Sequence, residues 1–112
     1  MKYDIKNRFT DRVQFTAEID CREDVFEAVK VGMAVRWSVK TGADLRGADL
    51  QGANLRYSNL QDVDFGGANL AHADLHGARL HGANLEGAAL HGANLEDADF
   101  GGAIEELKGD NR

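Results

Sequence analysis

A large apolar residue recurs at every fifth position from Leu45 to Phe100, without a break. The series is Leu45, Leu50, Leu55, Leu60, Phe65, Leu70, Leu75, Leu80, Leu85, Leu90, Leu95 and Phe100. Two residues before each stands a small one, Ala at ten sites and Ser58 and Val63 at the other two. Five residues advance an α-helix by about 500°, which would scatter these side chains over every face. In a flat strand, an odd step reverses the face at each repeat. The chain must therefore turn within each unit, the signature of a solenoid. Inside a unit the Ala and the Leu, two apart, point to one side of a short extended segment, and the residue between them points outward. That outward residue is Asp or Asn at ten of twelve sites, able to accept a backbone hydrogen bond at a turn. Gly stands two positions after the large residue at eight of twelve, suited to a corner of positive φ. Each unit reads as strand, then corner.

The residues before the repeat follow other periods. Tyr3, Ile5 and Phe9, then Val13, Phe15, Ala17 and Ile19, alternate on either side of Thr10-Asp11, which predicts a β-hairpin over 2–19. Asp20 and Glu23 have the spacing of a capping pair, and Gly42 suits a helix end, which predicts a helix over roughly 21–40. Its apolar stripe runs through Phe26, Val29, Met33 and Trp37, flanked by Val25, Ala28, Val35 and Val39. The opposite face mixes Glu23, Asp24, Glu27, Lys30, Arg36 and Lys40, so it is not the basic face of a membrane-surface helix. The expected layout is a hairpin-and-helix cap over 1–42, the repeat over 43–102, and a C-terminal cap or tail over 103–112, where Glu105 breaks the register. Phe26, Met33 and Trp37 are the expected cap residues, Trp37 being the largest plug for the open end of the solenoid.

The run Gly42-Ala43-Asp44-Leu45-Arg46-Gly47-Ala48-Asp49-Leu50-Gln51-Gly52-Ala53-Asn54-Leu55 closely resembles the pentapeptide-repeat proteins, and the pattern extends over 60 of 112 residues. The resemblance implies an all-β solenoid, a right-handed quadrilateral parallel β-helix with four units per coil. Twelve units then make about three coils, rising roughly 14 Å at ~4.8 Å per stacked strand. It also implies that residues twenty apart stack: Leu45/Phe65/Leu85, Leu50/Leu70/Leu90, Leu55/Leu75/Leu95 and Leu60/Leu80/Phe100 inside; Arg46/Gly66/Glu86, Arg56/His76/Glu96 and Gln61/His81/Gly101 outside. An initial segment of this kind is similar to those preceding the repeats in some phage and prophage proteins.

Composition narrows the function. The net charge of −6 comes from the repeat: residues 43–102 carry nine acids against Arg46, Arg56 and Arg79, while residues 1–42 balance at +1 and 103–112 at −1. Such a body does not bind phosphate backbones directly. One cysteine, Cys21, excludes an internal disulfide framework, and no Cys/His spacing suggests zinc. The first six residues lack the apolar run of a signal peptide, and no stretch has the length of a membrane span, so the expectation is a cytoplasmic chain with no membrane role. No phosphate loop is present, the glycines being corners at period five. His72, His76, His81 and His91 read as solvated surface, with His72 and His91 neighbours on adjacent coils. Ser38, Ser58 and Cys21 lack recognisable His/Asp partners. Asp97 and Asp99 are turn residues on a convex surface with no cleft for glycosidase chemistry. The chain is expected to be no enzyme, to hold no metal and to need no cofactor.

Two functional readings remain. The first is a structural or protein-binding module whose faces or ends dock a protein, or a second copy of the chain end to end. Departures from the repeat pattern mark its candidate surface: Tyr57, Asp62, His72 and Asp97 replace corner glycines, and Arg79 and Ala89 replace the Asp or Asn. The second follows from resemblance to the quinolone-resistance branch of the family, which implies an acidic DNA mimic that occupies a type II topoisomerase such as gyrase. Against it, those relatives are longer and often carry loops, while here twelve units run without insertion. Five of the nine acids (Asp44, Asp49, Asp64, Asp74 and Asp99) also occupy the turn position. The inward assignment has a direct check: Leu70→Asp buries an unpaired charge and is expected to unfold the coil that contains it, while Arg46→Ala leaves the thermal melt nearly unchanged.

Overall fold

The computed structural model describes residues 1–102; the expected C-terminal cap over 103–112 lies outside the described residues. Strand β1 (Lys2–Lys6) pairs antiparallel with β2 (Val13–Glu18), and helix α1 (Glu27–Thr41) leads into the repeat. From residue 49 onward, seven parallel backbone bridges each join residues twenty apart, beginning Asp49 to Asn69 and ending Arg79 to Asp99. Twenty residues per turn is four pentapeptides, one for each side of a square.

Why five residues suffice for a side is clear from the backbone of Ala68–His72. Ala68 N–H donates to Phe65 O (2.9 Å), closing the preceding corner, and Asn69 N–H to Ala48 O (2.9 Å) on the coil before. Leu70 and His72 donate to Ala89 O (2.8 Å) and His91 O (3.0 Å) on the coil after. Ala71 N–H faces the corner, where Asn69 Oδ1 accepts it at 3.0 Å. All five donors are thus satisfied, as a buried backbone requires. The same Asx turn forms at all ten Asp and Asn sites, at 2.9–3.3 Å. With a corner every five residues, each side pairs through a single bridging residue and is no longer strand, shorter than the alternating pattern suggests.

The inward column is tightly filled. Leu45 to Leu90, Phe65 included, are buried, together with Ala48, Ala53, Ala68, Ala73, Ala78, Ala83 and Ala88; Leu95 and Phe100, on the last described coil, are half-buried. Ser58 takes an Ala position, and its buried hydroxyl has no hydrogen-bond partner among the described residues.

The N-terminal segment lies against the first coil through backbone contacts. The turn between β1 and β2 bridges antiparallel from Asn7 to Ala48. Arg8 N–H donates to Gly47 O and Asp49 N–H to Lys6 O, both at 2.8 Å. Gln14 Nε2 donates to the carbonyls of Asp44 (2.6 Å) and Arg46 (2.9 Å). On the next side, Asn54 N–H donates to Ala28 O of α1 at 2.9 Å. Phe9 sits in the turn between the strands and is exposed.

Three expectations for this segment need correction. The helix begins at Glu27, not near residue 21, and its N-cap residue makes no side-chain capping bond. Residues 20–26 form a loop despite the local Asp20/Glu23 signal, and Lys30 Nζ donates to Glu23 O within it at 2.7 Å. Phe26 is not a cap residue: as the extended N-cap (φ −58°, ψ 143°) it turns outward and is 82% exposed. Nor is Trp37 a central plug; it stacks on Phe15 of the hairpin at 5.9 Å and, like Met33, is half-buried at the margin of the core. The buried residues are Val31, Gly32, Ala34, Val35 and Ser38, together with Lys30, which the sequence pattern puts on the polar face. Small residues win because the helix meets backbone: a Cβ on Gly32 would lie 2.1 Å from Asn54 O.

Two substitutions of opposite sign test this packing in urea denaturation. Gly32→Ala forces the helix away from Asn54 and is expected to destabilise by about 1–3 kcal/mol. Ser58→Ala removes a buried unpaired hydroxyl and is expected to stabilise by about 1 kcal/mol.

Candidate functional surface

With the interior closed, chemistry is confined to the outward positions and the corners. All twelve corner residues have positive φ; eight are Gly, and the others are Tyr57 (56°), Asp62 (61°), His72 (61°) and Asp97 (60°). Asp and His adopt this conformation more readily than a bulky aromatic does, so Tyr57 carries the greater strain. Three of the four side chains lie over the glycine twenty residues on. A Cβ on Gly77 would meet Tyr57 ring carbons at 2.5 Å, one on Gly82 would meet Asp62 Oδ1 at 2.1 Å, and one on Gly92 would meet His72 Nδ1 at 2.3 Å. No corner column stacks two side-chain-bearing residues directly.

The four candidate surface residues do not form one site. His72 faces His91 edge-on, with ring centroids 5.5 Å apart. Tyr57, 68% exposed, meets the half-buried ring of His76 edge-on at 5.3 Å, and the Arg56 guanidinium lies 5.6 Å from the Tyr57 centroid. Asp97 reaches the same corner, its Oδ2 4.0 Å from His76 Nε2, while Glu96 Oε1 lies 3.4 Å from His76 Nδ1. Asp62 stands elsewhere, on a groove of about 490 Å³ lined also by Ser38, Val39, Asp44, Arg46 and Gln61. The column Arg56/His76/Glu96 followed from the four-unit coil that the family resemblance implies, but comparing the histidines only with one another missed the carboxylates that gather at His76.

Several acids serve the fold. Asp44 is held below the usual carboxylate range by the Arg46 side chain, which bonds it at 3.1 and 3.2 Å, and by the Arg46 backbone N–H. Burial pushes Asp74 up, but the Arg56 guanidinium at 3.0 Å and the His76 backbone N–H outweigh it, and the net shift is downward. Between coils, Asn69, Asn84 and Asn94 donate from their amides to Asp49, Asp64 and Asp74. Arg79, which cannot accept a hydrogen bond, reaches Gln61: with that amide turned to present its oxygen, the guanidinium donates at 2.8 and 3.3 Å.

Filled interior, twenty-residue coils and Asx-turned corners define a β-helical repeat solenoid. The family described as pentapeptide repeats matches residues 41–70 and 68–104, and the chain belongs to it. Membership gives the coil its form, a right-handed quadrilateral β-helix. Among solved structures, a pentapeptide repeat protein from the cyanobacterium Cyanothece is 42% identical over 49% of this chain and 37% of its own, with a TM-score of 0.48. One from the Arabidopsis thaliana thylakoid lumen is 33% identical over 54% of this chain and 48% of its own, with a TM-score of 0.32. HetL, a Nostoc protein involved in heterocyst differentiation regulation, is 36% identical over 64% of this chain and 39% of its own, with a TM-score of 0.32. The matched part thus spans less than half the length of each of these three relatives. No curated protein matches the sequence significantly.

The corner rule has its own test. Gly52→Ala, with open space at its Cβ, is expected to cost about 1–2 kcal/mol for the left-handed backbone alone. Gly77→Ala adds the clash with Tyr57 and is expected to cost more, the excess vanishing in a Tyr57→Gly background when the four variants are compared as a cycle.

Proposed function

We propose that the chain is a non-catalytic structural or protein-binding module: about three β-helical coils, closed at the N-terminal end by the hairpin and α1, presenting flat outer faces to a protein partner. The observation that carries the reading is the closed interior. The inward Leu, Phe and Ala side chains from Leu45 to Leu90 are almost all buried against one another, which leaves the inside to packing and the outside to recognition. Family membership supports a repeat protein of non-catalytic type.

The DNA-mimic reading draws support from the outward acids Asp62, Glu86, Glu96 and Asp97, all exposed and none of them an Asx-turn residue. It draws less from the remaining acids, because Asp44, Asp49, Asp64, Asp74 and Asp99 are engaged in turns.

Affinity capture with the purified chain as bait separates the two. A binding module is expected to return one protein partner, lost when residues of a single face are changed. Recovery of topoisomerase subunits, released by high salt and by the combined variant Asp62→Asn, Glu86→Gln, Glu96→Gln, Asp97→Asn, would replace that reading with mimicry.

A further inference from the structure

We propose that His76, Glu96 and Asp97 form a binding site for a divalent first-row transition-metal ion of the zinc class. One donor atom from each side chain lies within 4.8 Å of the other two. The imidazole comes from the second coil and the two carboxylates from the third, so a bound ion joins adjacent coils from outside.

The backbone presets the arrangement. Gly77 N–H donates to Glu96 O at 2.9 Å, which fixes the coil carrying the carboxylates against the coil carrying the histidine. His76 is the anchored member: its side chain is only 16% exposed, its backbone N–H is held by Asp74 Oδ1 at 3.1 Å, and the Tyr57 ring stands edge-on against it. Glu96 and Asp97 are the adjustable members, 74% and 77% exposed. Zinc–nitrogen and zinc–oxygen bonds are about 2.0–2.2 Å, and Glu96 Oε1 now lies 3.4 Å from His76 Nδ1 while Asp97 Oδ2 lies 4.0 Å from Nε2, so binding requires the two exposed carboxylates to rotate and converge on a single ring nitrogen.

The local charge favours a cation. Arg56, the nearby base, is engaged with Asp74 at 3.0 Å, which leaves two carboxylates facing one imidazole. The donor set also selects the ion. A ring nitrogen with two carboxylate oxygens suits zinc, cobalt or nickel with water in the remaining positions, whereas magnesium and calcium prefer oxygen throughout.

The test is a calorimetric titration of metal-stripped full chain with zinc chloride at pH 7.5 in excess magnesium, with thermal melts in parallel. One equivalent is expected to bind and to raise the melting temperature. Asp97→Gly installs the residue found at eight of the twelve corners, so the variant keeps its fold while losing a ligand. It and Glu96→Gln are expected to weaken zinc by about tenfold or more, and His76→Gln to abolish both the binding and the thermal shift, while a His72→Gln/His91→Gln double variant binds as the parent does. The proposal fails if no zinc binds. It also fails if Asp97→Gly and His76→Gln bind as the parent does, if the site disappears with His72 and His91 instead, or if magnesium competes on equal terms.

Discussion

The structure depends on one constraint: a backbone that turns every five residues must still satisfy every N–H. One of the five donors in a unit is met within the preceding corner and three by the coils on either side. The fifth points into the corner, where no other strand can reach it. The Asp or Asn side chain supplies that acceptor, which is why the outward position is so restricted although it touches no core. Where Arg79 and Ala89 stand instead, no side-chain acceptor is available, yet the bridges of both residues to neighbouring coils remain. The inter-coil ladder therefore tolerates the loss of an Asx turn, and the turn refines a path that the ladder and the inward Leu and Ala have set.

That constraint explains the surface. Corners require positive φ and sit twenty residues apart, so any side chain placed there projects over the next corner. Tyr57, Asp62 and His72 are accommodated because Gly77, Gly82 and Gly92 follow them in their columns. Surface variety is thus regulated by stacking. The same geometry makes His76, Glu96 and Asp97 neighbours, although twenty residues separate the histidine from the glutamate. Functional groups on such a solenoid arise from column neighbours, and a reading confined to short motifs overlooks them.

The N-terminal segment solves a different problem. The first coil has no preceding coil to bond its outward N–H groups, and an open row of this kind invites association with other chains. On two sides the chain supplies its own partners, Lys6 O for Asp49 and Ala28 O for Asn54. A helix can approach a backbone that closely only through small residues, so α1 turns Ala28 and Gly32 toward the coil while Trp37 stacks aside on Phe15. The apolar stripe at helical spacing consequently took in Phe26, which stands before the helix and is exposed.

The stacking of residues twenty apart followed from the family resemblance; the sequence alone carried the period, the inward and outward positions, and the role of Asp and Asn at the turn. These are legible because the periodic rule acts on each unit through local backbone sterics and is repeated twelve times, so single exceptions such as Ser58 cannot hide it. Folding alone settles where α1 begins, which of its faces is buried, which corner side chains share space and which ionisable groups meet. Those outcomes turn on contacts made once each: Lys30 with Glu23, Gly32 with Asn54, Tyr57 with His76. A contact made once leaves no periodic trace in the chain, and its energy depends on distances that exist only after the coil has closed.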